Sequence, residues 1–159
     1  MIFSALALAA ASTSGWLLTE KVDPMTDQKD ASARVMNESG GRLSVFCSSA
    51  LGRIVTIQLS APQYYARSYT EGQMRFDGGP VVEMRFDLLK NVAYIGEDRS
   101  DLYKLAKYIA TSKRAAFRIF DYNNQPVDLA FNVEGGEEHI RHVFEVCGYT
   151  DPLADAAKR

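Results

Sequence analysis

Two cysteines, two histidines and a single tryptophan are all that 159 residues contain of the side chains on which small scaffolds and many enzymes rely. Two thiols cannot build a disulfide-rich framework, and without matching histidine spacing they do not make a zinc site. Charge of one sign is also missing. Lys and Arg number 18 against 20 Asp and Glu, a formal net charge of -2. Nucleic-acid-binding domains carry an excess of clustered Lys and Arg, so this balance argues against DNA, RNA and anionic membrane surfaces as partners. No apolar run approaches the roughly 20 residues a membrane-spanning helix needs. Gly-x-Ser-x-Gly, phosphate-loop and dinucleotide fingerprints are absent, and Gly40-Gly41, Gly78-Gly79 and Gly135-Gly136 read as turns. These absences leave no catalytic residue, metal ligand or cofactor to assign.

What is present suits one ordinary domain. Hydrophobic side chains make up 47% of the chain and charged ones 24%, and a chain of this length buries about 70% of its unfolded surface without needing staples. Residues 1–14 are uncharged and run from Ile2 through Ala11 into Ser12-Thr13-Ser14, the pattern of an export signal's apolar segment followed by small residues suited to cleavage. No Lys or Arg precedes that run, so the alternatives are a signal lacking its basic start and an ordinary amphiphilic N-terminus. A single domain over residues 15–148 and a flexible tail over 149–159 complete the expected organisation. After signal removal no stable membrane insertion is expected, and the location is periplasmic or secreted.

An exported chain meets an oxidising compartment, where Cys47 and Cys147 are expected to pair. Both fall on apolar rows of their elements. The alternative is two separate buried thiols.

Alternation of apolar residues predicts strands over 16–22, 31–37, 42–48 and 53–60, with Trp16, Leu18 and Val22 on one face of the first. Met-Arg-Phe-Asp occurs twice, at 74–77 and 84–87, around Gly78-Gly79-Pro80. A hairpin with a three-residue loop would set Phe76 opposite Val82 and Arg75 opposite Glu83, gathering Met74, Phe76, Val82, Met84 and Phe86 on one face. A short strand over 91–95 follows, then a helix over 101–112 capped by Asp98 or Ser100. A hairpin of 115–121 with 127–133 and a last helix over 137–147 close the pattern. The expected class is α+β, an antiparallel sheet or small sandwich of about eight strands with two helices.

Few constellations carry chemistry. His139 and His142 share the last helix, three residues apart, without a third ligand nearby, which reads as a solvated helix face rather than a metal site. Asp23-Pro24-Met25-Thr26-Asp27 and Asp98-Arg99-Ser100-Asp101 group carboxylates and hydroxyls without calcium-loop spacing, so turn and cap duty is expected. A Cys147–histidine dyad is disfavoured because a helix C-terminus opposes a thiolate. The remaining candidate is aromatic. Tyr64, Tyr65, Arg67 and Tyr69 fall in an expected loop and suit a partner-binding patch, because Tyr and Arg are favoured at interfaces. The alternative is that Tyr64 or Tyr65 tucks into the rim of the core.

The order of Trp16, the 23–27 turn, the Leu43–Cys47 strand, Arg85-Phe86-Asp87 and the Phe131–Gly135 run leading into a helix ending at Cys147 resembles the type VI secretion-associated VasI/TagO-like proteins of bacteria. The resemblance spans about residues 16–148 in spaced single positions. It implies an exported β-rich domain with paired cysteines and an accessory role in secretion, with no known active site, and for the chain itself an unidentified protein partner is expected. An exported, non-enzymatic accessory or binding protein is the expectation. An envelope-acting hydrolase and a phage-related inhibitor or immunity protein are the alternatives.

Overall fold

Nine strands and two helices make up residues 15–65 and 68–154, the part of the protein described by a computed structural model. The expected export segment, Arg67 and the last five residues lie outside the described residues. The strands are β1 (Leu17–Val22), β2 (Lys29–Met36), β3 (Arg42–Ser48), β4 (Ile54–Ser60), β5 (Tyr69–Phe76), β6 (Val82–Leu89), β7 (Val92–Ile95), β8 (Arg114–Phe120) and β9 (Pro126–Asn132). Helix α1 (Arg99–Ala110) separates β7 from β8, and α2 (Glu137–Val146) follows β9. All strands join one antiparallel sheet in the order β1-β2-β3-β4-β7-β6-β5-β8-β9. The α+β class is as expected, with one sheet rather than a sandwich and slightly more strands.

Strict alternation explains the core. Leu43, Val45 and Cys47 of β3 and Val55, Ile57 and Leu59 of β4 all point to one buried face. The helices cover that face. Leu102, Leu105, Ala106 and Ile109 of α1 and Ile140, Val143 and Phe144 of α2 are fully buried, with α2 lying on β2 and β3 and α1 on α2 and β4. The Asp98 carboxylate accepts from the Asp101 N–H at 3.1 Å and so starts α1. No helix among the described residues is long and apolar enough to cross a membrane.

The sheet curls until its ends meet. Asn37, just after β2, donates its side-chain amide to the Ala130 oxygen of β9 at 3.2 Å, and the Trp16 indole donates to the Val133 oxygen at 3.0 Å. Cys47 and Cys147 form the expected disulfide, Cα atoms 5.6 Å apart, tying β3 to the end of α2. Trp16 is buried and Leu18 half-buried, but Val22 is exposed. Val22 lies at the far end of the edge strand, where the expected apolar face of β1 stops short.

The β5–β6 hairpin keeps its predicted faces and changes its register. Met74 and Phe76 are buried with Met84 and Phe86, and Val82 is half-buried beside them. Met74, not Phe76, stands opposite Val82, and Glu83 faces Gln73 instead of Arg75. Two residues of slip preserve the inward set because the side-chain period is two. The wider loop is held from outside the hairpin. Asp77 adopts a positive φ of 51°, and its carboxylate accepts from the Lys113 and Arg114 N–H groups at 3.0 and 2.9 Å. Arg75 donates to the Gly78 and Gly79 oxygens at 2.8 and 2.9 Å, which occupies the side chain expected across from Glu83.

The ordered body also reaches past residue 148. Tyr149 packs edge-on against Phe144, the Tyr103 hydroxyl meets the Thr150 hydroxyl at 2.9 Å, Arg141 pairs with Asp151 at 3.1 Å, and Pro152 is buried. Residues 149–154 therefore pack on the helices instead of beginning a flexible tail.

Candidate binding groove

The histidines, acidic turns and tyrosines singled out from the sequence go to separate places. His142 on α2 pairs with the Glu20 carboxylate of β1, which holds Glu20 below the usual carboxylate range. Asp23 accepts from the Met25 N–H and the Ser49 hydroxyl, both at 2.8 Å, and these bonds lower its carboxyl in the same way. Both are turn and edge fastenings. No group of three His, Cys, Asp or Glu side chains able to hold a metal occurs among the described residues.

Tyr64, Tyr65 and Tyr69 do not form one patch. Residues 61–65 form a strap beside the β6–β7 turn, with the Tyr65 N–H on the Lys90 oxygen at 2.8 Å, and further along the Leu88 N–H bonds to the Ser68 oxygen at 2.8 Å. The strap turns Tyr65 inward, to 0% exposure, and leaves Tyr64 outside at 58%. Tyr65 is thus removed from any partner surface, as the core-rim alternative requires. Its hydroxyl has no hydrogen-bond partner among the described residues, and burial pushes the phenol up to about 12. Tyr69 is not in a loop. It opens β5, 49% exposed, on the sheet face away from the helices.

Tyr69 lines an open groove of about 640 Å³ between the start of β5 and the β8–β9 turn. Glu71 and Gln73 of β5, Glu83 of β6, Phe120 of β8 and Asn124 of the turn share its wall. Alternation puts 69, 71 and 73 outward because 70, 72, 74 and 76 are buried. Arg85, on the neighbouring strand, lies over the Tyr69 ring at 4.1 Å to its centre and fixes the aromatic surface. Gln73 donates to Glu83 at 3.4 Å. Arg118, one strand along, is kept out of the groove's polar set by two bonds to Asp128 at 2.7 and 2.9 Å. That pairing lowers the Asp128 carboxyl.

The wall combines aromatic and polar side chains. It offers aromatic area with amide and carboxylate groups able to orient a polar ligand. Its hydroxyls are those of Ser68, Tyr69 and Thr70, and none is hydrogen-bonded to a base among the described residues, so the nucleophile–base arrangement of covalent catalysis is not assembled there. Glu71, Gln73, Glu83, Phe120 and Asn124 were not singled out from the sequence. The outward alternation of β5 marks the first two. Nothing local shows that a turn about fifty residues later closes the groove.

No family model and no curated protein sequence matches the chain. Among solved structures, the chain is similar to the crystal structure of invasion associated protein B from Bartonella henselae. The match has a TM-score of 0.53 and 13% identity, and covers 83% of this chain and 93% of that one. At that identity the likeness is one of fold.

Proposed function

We propose that this protein is an exported, non-enzymatic binding protein that serves as an accessory factor in the periplasm or outside the cell. The observation that carries the reading is the open groove, whose aromatic and amide wall is fixed by Arg85 and lacks an assembled catalytic pair. The disulfide between residues 100 positions apart supports the location, because such bonds persist in oxidising compartments. The resemblance to VasI/TagO-like proteins makes a type VI secretion apparatus the first setting to examine. Tyr69 and Phe120 are the groove's aromatic anchors, and exposed Tyr64 is a separate candidate on the strap.

The test is capture of partners from a periplasmic fraction with wild type, Tyr69→Ala/Phe120→Ala and Tyr64→Ala. A partner recovered with wild type and lost with the double variant supports the groove. Equal recovery by a folded double variant removes it. Full-length protein that fractionates with the cytoplasm, with its thiols reduced, would overturn the exported reading.

A further inference from the structure

The solvent face of β2, β3 and β4 carries two arginines that differ from the others on the sheet. Arg75 is satisfied by loop carbonyls, Arg85 by Asp87 at 3.7 Å and the Tyr69 ring, and Arg118 by Asp128. Arg34 and Arg42 have no carboxylate partner among the described residues, yet both are half-buried. Arg114 also lacks one, but it is exposed and hydrated by bulk water. Register makes the pair neighbours. Arg34 stands opposite Ser44 and Arg42 opposite Met36, so the two arginines are diagonal on one face, roughly 7–8 Å apart by sheet geometry.

Their surroundings are polar and closed in. Ser44 lies between Arg34 and Gln58, and Ser60 is opposite Arg42. Both serines are nearly inaccessible, at 4% and 9%, although they sit on the outer face. Arg42 reaches the Ser60 hydroxyl only at 3.5 Å, and its Nε is shut off from solvent with no acceptor among the described residues. A half-buried charge with an orphaned donor is costly, and two like charges side by side add to the cost. An ion that neutralises both relieves it.

We infer that Arg34 and Arg42 bind a phosphate group, with the Ser44 and Ser60 hydroxyls beneath it. Two guanidinium groups match a phosphate's charge and its several acceptor oxygens better than a single carboxylate with two. The balanced charge of the whole chain hides this local excess. The phosphate can belong to a soluble phosphate ester or to a phospholipid headgroup, and the two sources differ experimentally.

Inorganic phosphate is titrated into the folded protein while arginine Nε–H signals are followed by NMR, with chloride at matched ionic strength as control. The expected result is saturable shifts at Arg34 and Arg42, with Arg114 unmoved. Arg34→Gln and Arg42→Gln should each weaken binding about tenfold or more while the melting temperature holds. Shifts that grow linearly, match those in chloride, or persist unchanged in the Gln variants overturn the proposal, and the wild-type signals decide this even if a variant fails to fold. Sedimentation with phosphatidylglycerol vesicles, lost in the double variant and absent with phosphatidylcholine, supports the headgroup as source. Saturation by phosphate without vesicle binding supports the soluble ester. The groove at Tyr69 plays no part in either readout.

Discussion

The indole nitrogen of Trp16 donates to the backbone oxygen of Val133 across 117 positions of sequence, and the bond is buried. It joins the residue that precedes β1 to the residue that follows β9, so one side chain fastens the two outermost strands of the curled sheet. The same indole rests on Gly136, where an added Cβ would lie 2.7 Å from Cε2 and 2.8 Å from Nε1. Gly136 has φ -76° and ψ -14°, a conformation open to any residue, so only the ring excludes a side chain there. Gly136→Ala should destabilise by about 1–3 kcal/mol through overpacking. Trp16→Ala should cost about 3–5 kcal/mol, and the double variant less than the sum, because the clash vanishes with the indole. Urea unfolding of the four proteins checks this, and simple additivity would refute the contact.

Losing the Cys47–Cys147 bond should lower stability by about 4–5 kcal/mol in the chain-entropy account, in which a long closed loop restricts the unfolded chain most. Cys47→Ala/Cys147→Ala compared with wild type in urea measures it. A loss below about 1 kcal/mol would mean that the bond does not constrain the unfolded chain.

Tyr65→Phe should be neutral or stabilising by about 1 kcal/mol at neutral pH, because it removes a buried hydroxyl without a partner among the described residues. The raised phenol adds a sign. A folded-state value of about 12 above the ordinary 10.0 favours the neutral form, so its contribution is complete below pH 10 and is lost as pH rises towards 12. Wild type should therefore lose stability over that window more steeply than Tyr65→Phe. Parallel alkaline profiles would count against burial of the hydroxyl.

On the acid side the signs reverse. Asp128 is lowered by its bonds to Arg118, Glu20 by His142 and Asp23 by the Met25 N–H. Each contributes stability above its ordinary value, 3.8 for the aspartates and 4.5 for Glu20, and that contribution is lost as pH falls through the lower folded-state value. Glu20 and Asp128 are solvent-exposed and Asp23 is half-buried, so solvent screening keeps the first two effects small. Asp128→Asn should flatten the acid unfolding profile slightly without moving the neutral-pH core signals, and carboxyl titration by NMR should place Asp128 below 3.8.

Much of the scaffold could be read locally. The inward rows of β3, β4 and β9, the two amphipathic helices and the Asp98 cap depend on side-chain periods of two and 3.6 and on one oxygen near an N–H, all contained in short stretches of chain. The pairing of Cys47 with Cys147 followed because both lay on apolar rows and no other thiol was present. The hairpin's faces were legible and its register was not, since the bonds that widen the loop come from Lys113 and Arg114.

The candidate sites divide along the same line. Alternation and composition determined that the protein is an antiparallel α+β domain with a dry face and a polar one, because burial of an apolar row needs only a strand and something to cover it. Which polar residues share a place depended on strand order. The strap after β4 bonds to the β6–β7 turn, turns Tyr65 into the core and leaves Tyr64 outside, while β8 and the turn after it bring Phe120 and Asn124 beside Tyr69. Arg34 and Arg42 become diagonal neighbours only through the β2–β3 register. Such juxtapositions join residues distant along the chain, and only the packed sheet, in which the pairing of each strand restricts its neighbours, sets them.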